Sequence, residues 1–169
     1  MTIEHGTVDD TGRLVALFDD AVAWLVARGQ TGQWGSEPFS ARPKTVAGIT
    51  AWASGGDLWF ATDDGTDAGA ILLGERHHYI PPTDVPELYV LVLLTATAYR
   101  GQGVGARLIA HAADLARTRG LAQLRVDCWA GVDGLPAAYE RLGFTRTGSF
   151  DVDGWPGAIL VRPLSAPTM

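Results

Sequence analysis

Leu88-Tyr89-Val90-Leu91-Val92-Leu93-Leu94, then Arg100-Gly101-Gln102-Gly103-Val104-Gly105, is the stretch on which the reading of this chain turns. The first part is an unbroken apolar run set between Glu87 and Thr95, which reads as a buried strand. A polar turn follows, then the glycine-rich segment, then a helix expected from about Ala106 to Arg119 and stopped by Gly120. A helix N-terminus leaves backbone N–H groups unpaired and carries partial positive charge. Glycines at alternate positions let a phosphate approach those groups with no side chain in the way. The stretch therefore reads as an anion site, and a phosphate-bearing cofactor is the expected occupant. The bland alternative is that these glycines only make a tight turn.

The loop alone does not name that cofactor. Gly101-x-Gly103-x-x-Ala106 also satisfies the dinucleotide pattern G-x-G-x-x-G/A, and a later strand, Leu121 to Asp127, ends in an acid. Three features count against a nicotinamide dinucleotide. Thr95 to Arg100 intervene between strand and glycines, strand–helix alternation does not continue after Asp127, and an arginine directly precedes the glycines. A kinase-type phosphate loop is excluded, because no Gly-Lys-Ser/Thr follows.

Working outward, Thr2 to Thr7 reads as a strand, and Asp9 and Asp10 as caps of a helix over about Thr11 to Arg28. Its apolar stripe is Leu14, Val15, Leu17, Phe18, Val22, Leu25 and Val26, with Gly29 as the stop. Thr31 to Pro43 is a loop anchored by Trp34 and Phe39; Pro43 to Ala53 is a helix with Val46, Ile49 and Trp52 on one face. Strands are expected over Asp57–Thr62 and Ala68–Glu75, separated by an Asp63-Asp64-Gly65 turn. Arg76 to Pro86 is a loop. After the central strand and helix come a strand over Leu121–Cys128, a loop over Trp129–Leu135 and a short helix from Pro136 to Gly143. Two strands close the chain, Phe144–Phe150 and Ala158–Leu164. No domain boundary, repeat or low-complexity segment interrupts the 169 residues, which predicts one domain.

The formal charge is −6, and one lysine, Lys44, stands against twelve arginines. No basic stripe appears, so nucleic acid is not an expected partner; an acidic protein with a ligand cleft would rather attract a cationic small molecule. The single cysteine, Cys128, excludes an intrachain disulfide. No secretory signal or membrane span is legible, and a cytoplasmic protein, monomer or homodimer, is expected. His77-His78 lacks the cysteines or third histidine of a zinc site, so no metal is expected.

Arg100-Gly101-Gln102-Gly103-Val104-Gly105 resembles the Q/R-x-x-G-x-G/A signature of the GCN5-related N-acetyltransferase (GNAT) superfamily. Tyr139-Glu140-Arg141-Leu142-Gly143-Phe144 resembles its Y-E-x-x-G-F segment, in the right order and at the right distance. The likeness covers Glu87 to Arg162, and Gln33-Trp34 resembles an element of a bacterial subset. It implies an α/β (α+β) fold: a single GNAT domain over 1–169, with a mixed, mostly antiparallel twisted sheet of about seven strands and about four helices. The central strand and the Leu121–Cys128 strand would run side by side and then splay.

The resemblance also implies acetyl-CoA as cofactor and acetyl transfer to a primary amine of a small molecule or amino-bearing metabolite. The pantetheine arm would pair with backbone near Leu93, Leu94 and Thr95. The diphosphate would rest on N–H groups of Gly101, Gln102, Gly103, Val104, Gly105 and Ala106, with Arg100 and Gln102 lining the approach. Tyr139 would point at the sulfur. A tyrosine near ~10 is a weaker acid than a thiol near ~8.5, so a hydrogen bond to the developing thiolate is the sounder role than full proton transfer. An alkylammonium near ~10.4 must lose a proton before attack; Glu87 is the first candidate base, with Asp127, His77 and His78 behind it. The family's polar or basic pair is replaced here by Leu91-Val92. Its loop asparagine is missing between Trp129 and Leu135, where Asp133 is the nearest polar substitute for contacting the cofactor. Trp34, Phe39 and Trp129 either line an acceptor pocket or cap the core. The rival readings are a non-catalytic acyl-CoA-binding regulatory module and a small nicotinamide-binding protein.

Overall fold

The computed structural model describes residues 1–165; positions 166–169 of the domain expected over 1–169 lie outside the described residues. Strands and helices follow in the order β1 Thr2–His5, α1 Thr11–Ala27, α2 Pro43–Gly55, β2 Asp57–Asp63, β3 Thr66–Gly74, β4 Glu87–Thr95, α3 Val104–Thr118, β5 Gln123–Trp129, α4 Gly134–Arg141, β6 Thr145–Val152 and β7 Trp155–Pro163. Hydrogen bonding orders the strands β1-β2-β3-β4-β5-β7-β6. β4 and β5 are parallel, whereas β1–β2, β5–β7 and β6–β7 are antiparallel. This is the mixed α/β sheet with four helices that the sequence predicts. Two compact units are formed, Met1–Leu72 with Val92–Leu108, and Leu73–Leu91 with Ile109–Met169. β3, β4 and α3 contribute residues to both.

In the first unit, α1 buries Leu14, Val15, Leu17, Phe18, Ala21, Val22 and Leu25. Val26, expected in this stripe, is 40% exposed, because the buried arc is centred on the 14/18/22/25 row. On α2 the buried residues are Ile49 and Ala53, while Trp52, expected inward, is 39% exposed. Positions 46, 49 and 53 keep one face at 3.6 residues per turn, and Trp52 turns off it. Asp10 occupies the α1 N-cap position but makes no side-chain cap bond, contrary to expectation. Its carboxylate is engaged elsewhere: Thr7 N–H donates to Oδ2 at 2.8 Å and Arg13 donates to Oδ1 at 3.1 Å.

Arg13 also forks onto both oxygens of Asp67, at 2.6 and 3.1 Å, donates to Glu4 at 2.8 Å and lies 4.0 Å over the Phe60 ring. One planar cation thus joins β1, α1, β2 and β3. Gly69 of β3 allows a close approach. A Cβ there would come 2.5 Å from the Leu94 carbonyl oxygen and 2.8 Å from Val104 Cγ1. Gly69→Ala is expected to cost about 1–3 kcal/mol by overpacking. The check is the urea midpoint at constant m; an unshifted midpoint would show that the strand has room to give.

In the second unit β5 lies between β4 and β7. The parallel register runs from Glu87↔Gln123 to Val90↔Val126, and β5 pairs with β7 from Gln123↔Pro163 to Trp129↔Gly157. Alternation then puts Glu87, Tyr89 and Leu91 on one face with Gln123, Arg125 and Asp127. Leu88, Val90, Leu124, Val126 and Cys128 take the other. α4 packs on β5, β6 and β7. It begins at Gly134, two residues before the expected Pro136, which falls within the first turn where its missing N–H has no helical partner to lose.

Candidate active site

The glycine segment belongs to the first unit. Gly101 and Gly103 have φ of +79° and +78°, a backbone region that favours glycine. α3 starts at Val104, two residues earlier than the sequence predicts, so Gly105 and Ala106 lie in its first turn. Gly103 accepts the Arg107 N–H at 3.1 Å and so stands at the cap. A Cβ at 101 or 103 would meet no atom within 4 Å, and at 105 only Thr95 Oγ1 at 3.9 Å. No acidic side chain occupies the first turn. The Gln102 N–H is taken by the Tyr99 carbonyl at 3.2 Å, but the glycines put no side chain over the start of α3 and its first turn carries no acid, which suits a diphosphate.

The turn before it is pinned from α1. Asp20 Oδ2 accepts from Thr97 N–H at 2.7 Å and from Thr97 Oγ1 at 2.9 Å. Tyr99 donates to Asp63 at 3.2 Å. Gln102 folds back, its Nε2 donating to the Ala98 carbonyl at 3.3 Å. Arg100 lies 3.7 Å over Trp24, which also carries Arg28 at 3.8 Å. Burial, and after it the Arg28 charge, lower the Arg100 pKa. Leu93 and Thr95 are half-buried and Leu94 is buried at the end of β4. Trp34 and Phe39, expected to line an acceptor pocket, join Phe18 in an aromatic triad with centroids 4.8–5.5 Å apart. Arg42 ties this loop, donating to the Trp34 carbonyl at 2.6 Å and to that of Glu37.

The second unit holds the titratable groups. Tyr139 of α4 is 8% exposed, its ring edge-on to Phe144 at 5.8 Å. Burial raises its pKa, with the Cys128 and Asp127 charges adding, so the hydroxyl keeps its proton and acts as a donor. Burial pushes the Cys128 thiol up to about 12, so it presents no thiolate near neutrality. Asp127 accepts a short hydrogen bond from the Tyr89 hydroxyl. Burial raises the Asp127 pKa, opposed by that bond and by His77. Burial lowers the pKa of His77, with Asp127 pulling the other way.

Glu87 is fully engaged. Arg125 Nη2 donates to its Oε1 at 2.7 Å and Gln123 Nε2 to its Oε2 at 3.2 Å. The pair is largely dry, with side-chain exposures of 6% for Arg125 and 14% for Glu87. Trp129 is buried at the end of β5, its indole lying where a Cβ on Gly131 would sit. Asp133 is exposed at the α4 N-cap position and makes no side-chain cap bond. Arg125 and Tyr89 escape the sequence reading; the signal for them is the register, which sets Glu87 and Tyr89 beside Arg125 and Asp127 once the strands pair. Among the described residues no group of three or more His, Cys, Asp or Glu is gathered as a metal site, and no helix is long and apolar enough to cross a membrane.

A parallel β4–β5 pair, an open glycine-capped helix after β4 and a buried tyrosine on the helix after β5 define one class of protein. The sequence model of the acetyltransferase (GNAT) family matches residues 18–144, and the chain belongs to that family. An acetyltransferase of Agrobacterium fabrum, Atu2258, is 44% identical over 62 residues, which is 37% of this chain. The match spans only 44% of that protein's length. Among solved structures, a ribosomal-protein-alanine N-acetyltransferase from Brucella melitensis shares the fold at TM-score 0.65 and 21% identity, covering 97% of this chain and 100% of its own. A GNAT acetyltransferase from Elizabethkingia anophelis with acetyl-CoA bound aligns at TM-score 0.56 and 17% identity, over 70% of this chain and 82% of its own.

Proposed function

We propose that the whole chain, 1–169, is one acetyl-CoA-dependent N-acetyltransferase domain that acts on a primary amine of a small molecule. The observation that carries this reading is the start of α3, where Gly101 and Gly103 hold positive φ and a side chain at either would meet open space. Residues Gly101 to Ala106 would hold the diphosphate of the cofactor, and Leu93 to Thr95 its pantetheine arm. Acetyl-CoA, when bound, supplies a thioester whose carbonyl a neutral amine can attack directly. The Tyr139 hydroxyl would donate a hydrogen bond to the sulfur as charge develops there. Glu87, with both oxygens already taken, is a poor base.

Thermal-shift measurements with acetyl-CoA, longer acyl-CoAs and NAD test the cofactor, and thiol release over an amine panel tests the reaction. Stabilisation by NAD but not CoA would sink the reading, whereas CoA binding without turnover would leave a binding module. Tyr139→Phe is expected to lower kcat about tenfold to a hundredfold with little change in cofactor affinity. An unchanged kcat would remove Tyr139 from the reaction.

A further inference from the structure

Asp127 is not alone on its face of the second unit. Tyr89, wholly buried, presents its hydroxyl to the carboxylate. Above them the 76–80 loop is folded down by Arg76, which donates to the Ile80 carbonyl at 2.8 Å, and Ile80 packs into one cluster with Tyr89 and Ile159. That fold brings His77 edge-on to Tyr89 at 6.0 Å and stacks it on Tyr79 at 5.1 Å. Tyr79 in turn lies 5.4 Å from Phe150 of β6, and Phe150 lies 6.1 Å from Trp155 of β7. Phe150 reaches this position because its cross-strand partner is Gly157: a Cβ there would fall 2.1 Å from the ring. Gly157 also pairs with Trp129 on β5, so Phe150 lies across the strand next to the one that carries Asp127.

The titratable groups that interact with Asp127 are Arg125 and Cys128 from its own strand, His77 from the loop, and the phenols of Tyr89, Tyr79 and Tyr139. Arg125 is already committed to Glu87 and to the Pro81 carbonyl at 2.8 Å. Burial holds His77 toward its neutral form. The Asp127 carboxylate is therefore half-buried, accepts the Tyr89 hydroxyl as its side-chain donor, and lies at the Tyr89 end of a run of rings that continues through His77 and Tyr79 to Phe150. An ammonium meets both needs of such a place, a charge-assisted hydrogen bond to the carboxylate and the negative faces of the rings.

We infer that Asp127, with Tyr89 behind it and Tyr79, His77 and Phe150 around it, is the acceptor site for a small cationic amine with a flat apolar body. The inference rests on the amine-acetylating reading above and names the acceptor class for it. Desolvation raises a carboxyl pKa and lowers that of an ammonium, so a pair enclosed here is drawn toward its neutral form. One N–H bond of the ammonium breaks and an O–H bond forms on Asp127, which leaves a nitrogen lone pair for the thioester. Attack leaves one further proton on the nitrogen, which departs with the sulfur as a free thiol, and after release of product Asp127 returns its own proton to water.

Calorimetry with phenethylamine, 2-phenylethanol and 3-phenylpropionate tests the site directly, because it needs neither acetyl-CoA nor turnover and so fails separately from the cofactor reading. The amine should bind tenfold to a hundredfold tighter than the alcohol, on the order expected of a charged hydrogen bond, and the carboxylate weakest. Asp127→Asn, which keeps an acceptor for Tyr89, should bring amine and alcohol within about twofold of each other. Tyr79→Ala, at a 38% exposed position, should weaken all three while keeping their order. Equal binding of the three probes, no binding, or a cation preference that survives in Asp127→Asn would overturn the inference. So would wild-type turnover of phenethylamine by that variant.

Discussion

Glu87→Ala should destabilise the protein by about 3–5 kcal/mol, the cost of leaving a buried charge without its partner. Arg125 is 5% exposed; it donates to Glu87 and the Pro81 carbonyl, and its Nε is buried with no hydrogen-bond partner. Its guanidinium lies 5.7 Å over Tyr89, too far for that ring to replace a carboxylate. The loss is large against a typical domain stability of about 5–15 kcal/mol. Urea denaturation reads it, and the control is Glu87→Gln, which keeps an acceptor facing the cation and should lose less. The pair of variants also separates two roles. An anchor shows a falling midpoint with kcat scaling to the folded fraction. A base would show Glu87→Gln near wild-type stability and catalytically dead, and that outcome would return Glu87 to the reaction.

Gly103→Glu should remove coenzyme A binding. A carboxylate about 4 Å from a phosphate charge, at an effective dielectric near 20, is unfavourable by about 4 kcal/mol, or on the order of a thousandfold in affinity. The substitution also forces a side chain onto φ of +78°, which by itself costs about 1–2 kcal/mol of folding. Gly103→Ala carries that strain without the charge, and its Cβ meets nothing within 4 Å. It should bind the cofactor within a few-fold of wild type while melting lower. Equilibrium dialysis with coenzyme A compares the two. Undiminished binding by the Glu variant would show that the diphosphate rests elsewhere.

The elements that were legible in the sequence are those with local causes. The apolar run after Glu87, the glycines at 101 and 103 and the stop at Gly120 each act on their own backbone, and each appears where expected. The destinations of long side chains were not legible. Arg100 reads as lining a phosphate path, but the indole of Trp24, far away in sequence, offers it a face. Glu87 reads as a free carboxylate because Arg125 stands 38 positions on. Asp10 reads as a cap for α1, but the Thr7 N–H and Arg13, both near it, compete for its carboxylate. Trp34 and Phe39 read as pocket walls, and their partner Phe18 sits on the preceding helix. The face proposed for the acceptor has the least local cause. It needs the β4–β5 register, the fold of the 76–80 loop and a glycine at 157, none of which has a local signal.

Arg13, Arg28, Arg42 and Arg100 all rest on aromatic rings. A strongly hydrated ammonium would do this poorly, and it could not fork onto two oxygens as Arg13 does on Asp67. The preference for guanidinium has a chemical dividend in a catalyst that handles activated acyl groups. Guanidinium stays protonated and does not take up acetyl, whereas a lysine amine does and loses its charge. Lys44, exposed in the first turn of α2, is the sole side-chain amine in the sequence. The cations that hold this fold together would thus be immune to modification by the acetyl donor proposed above.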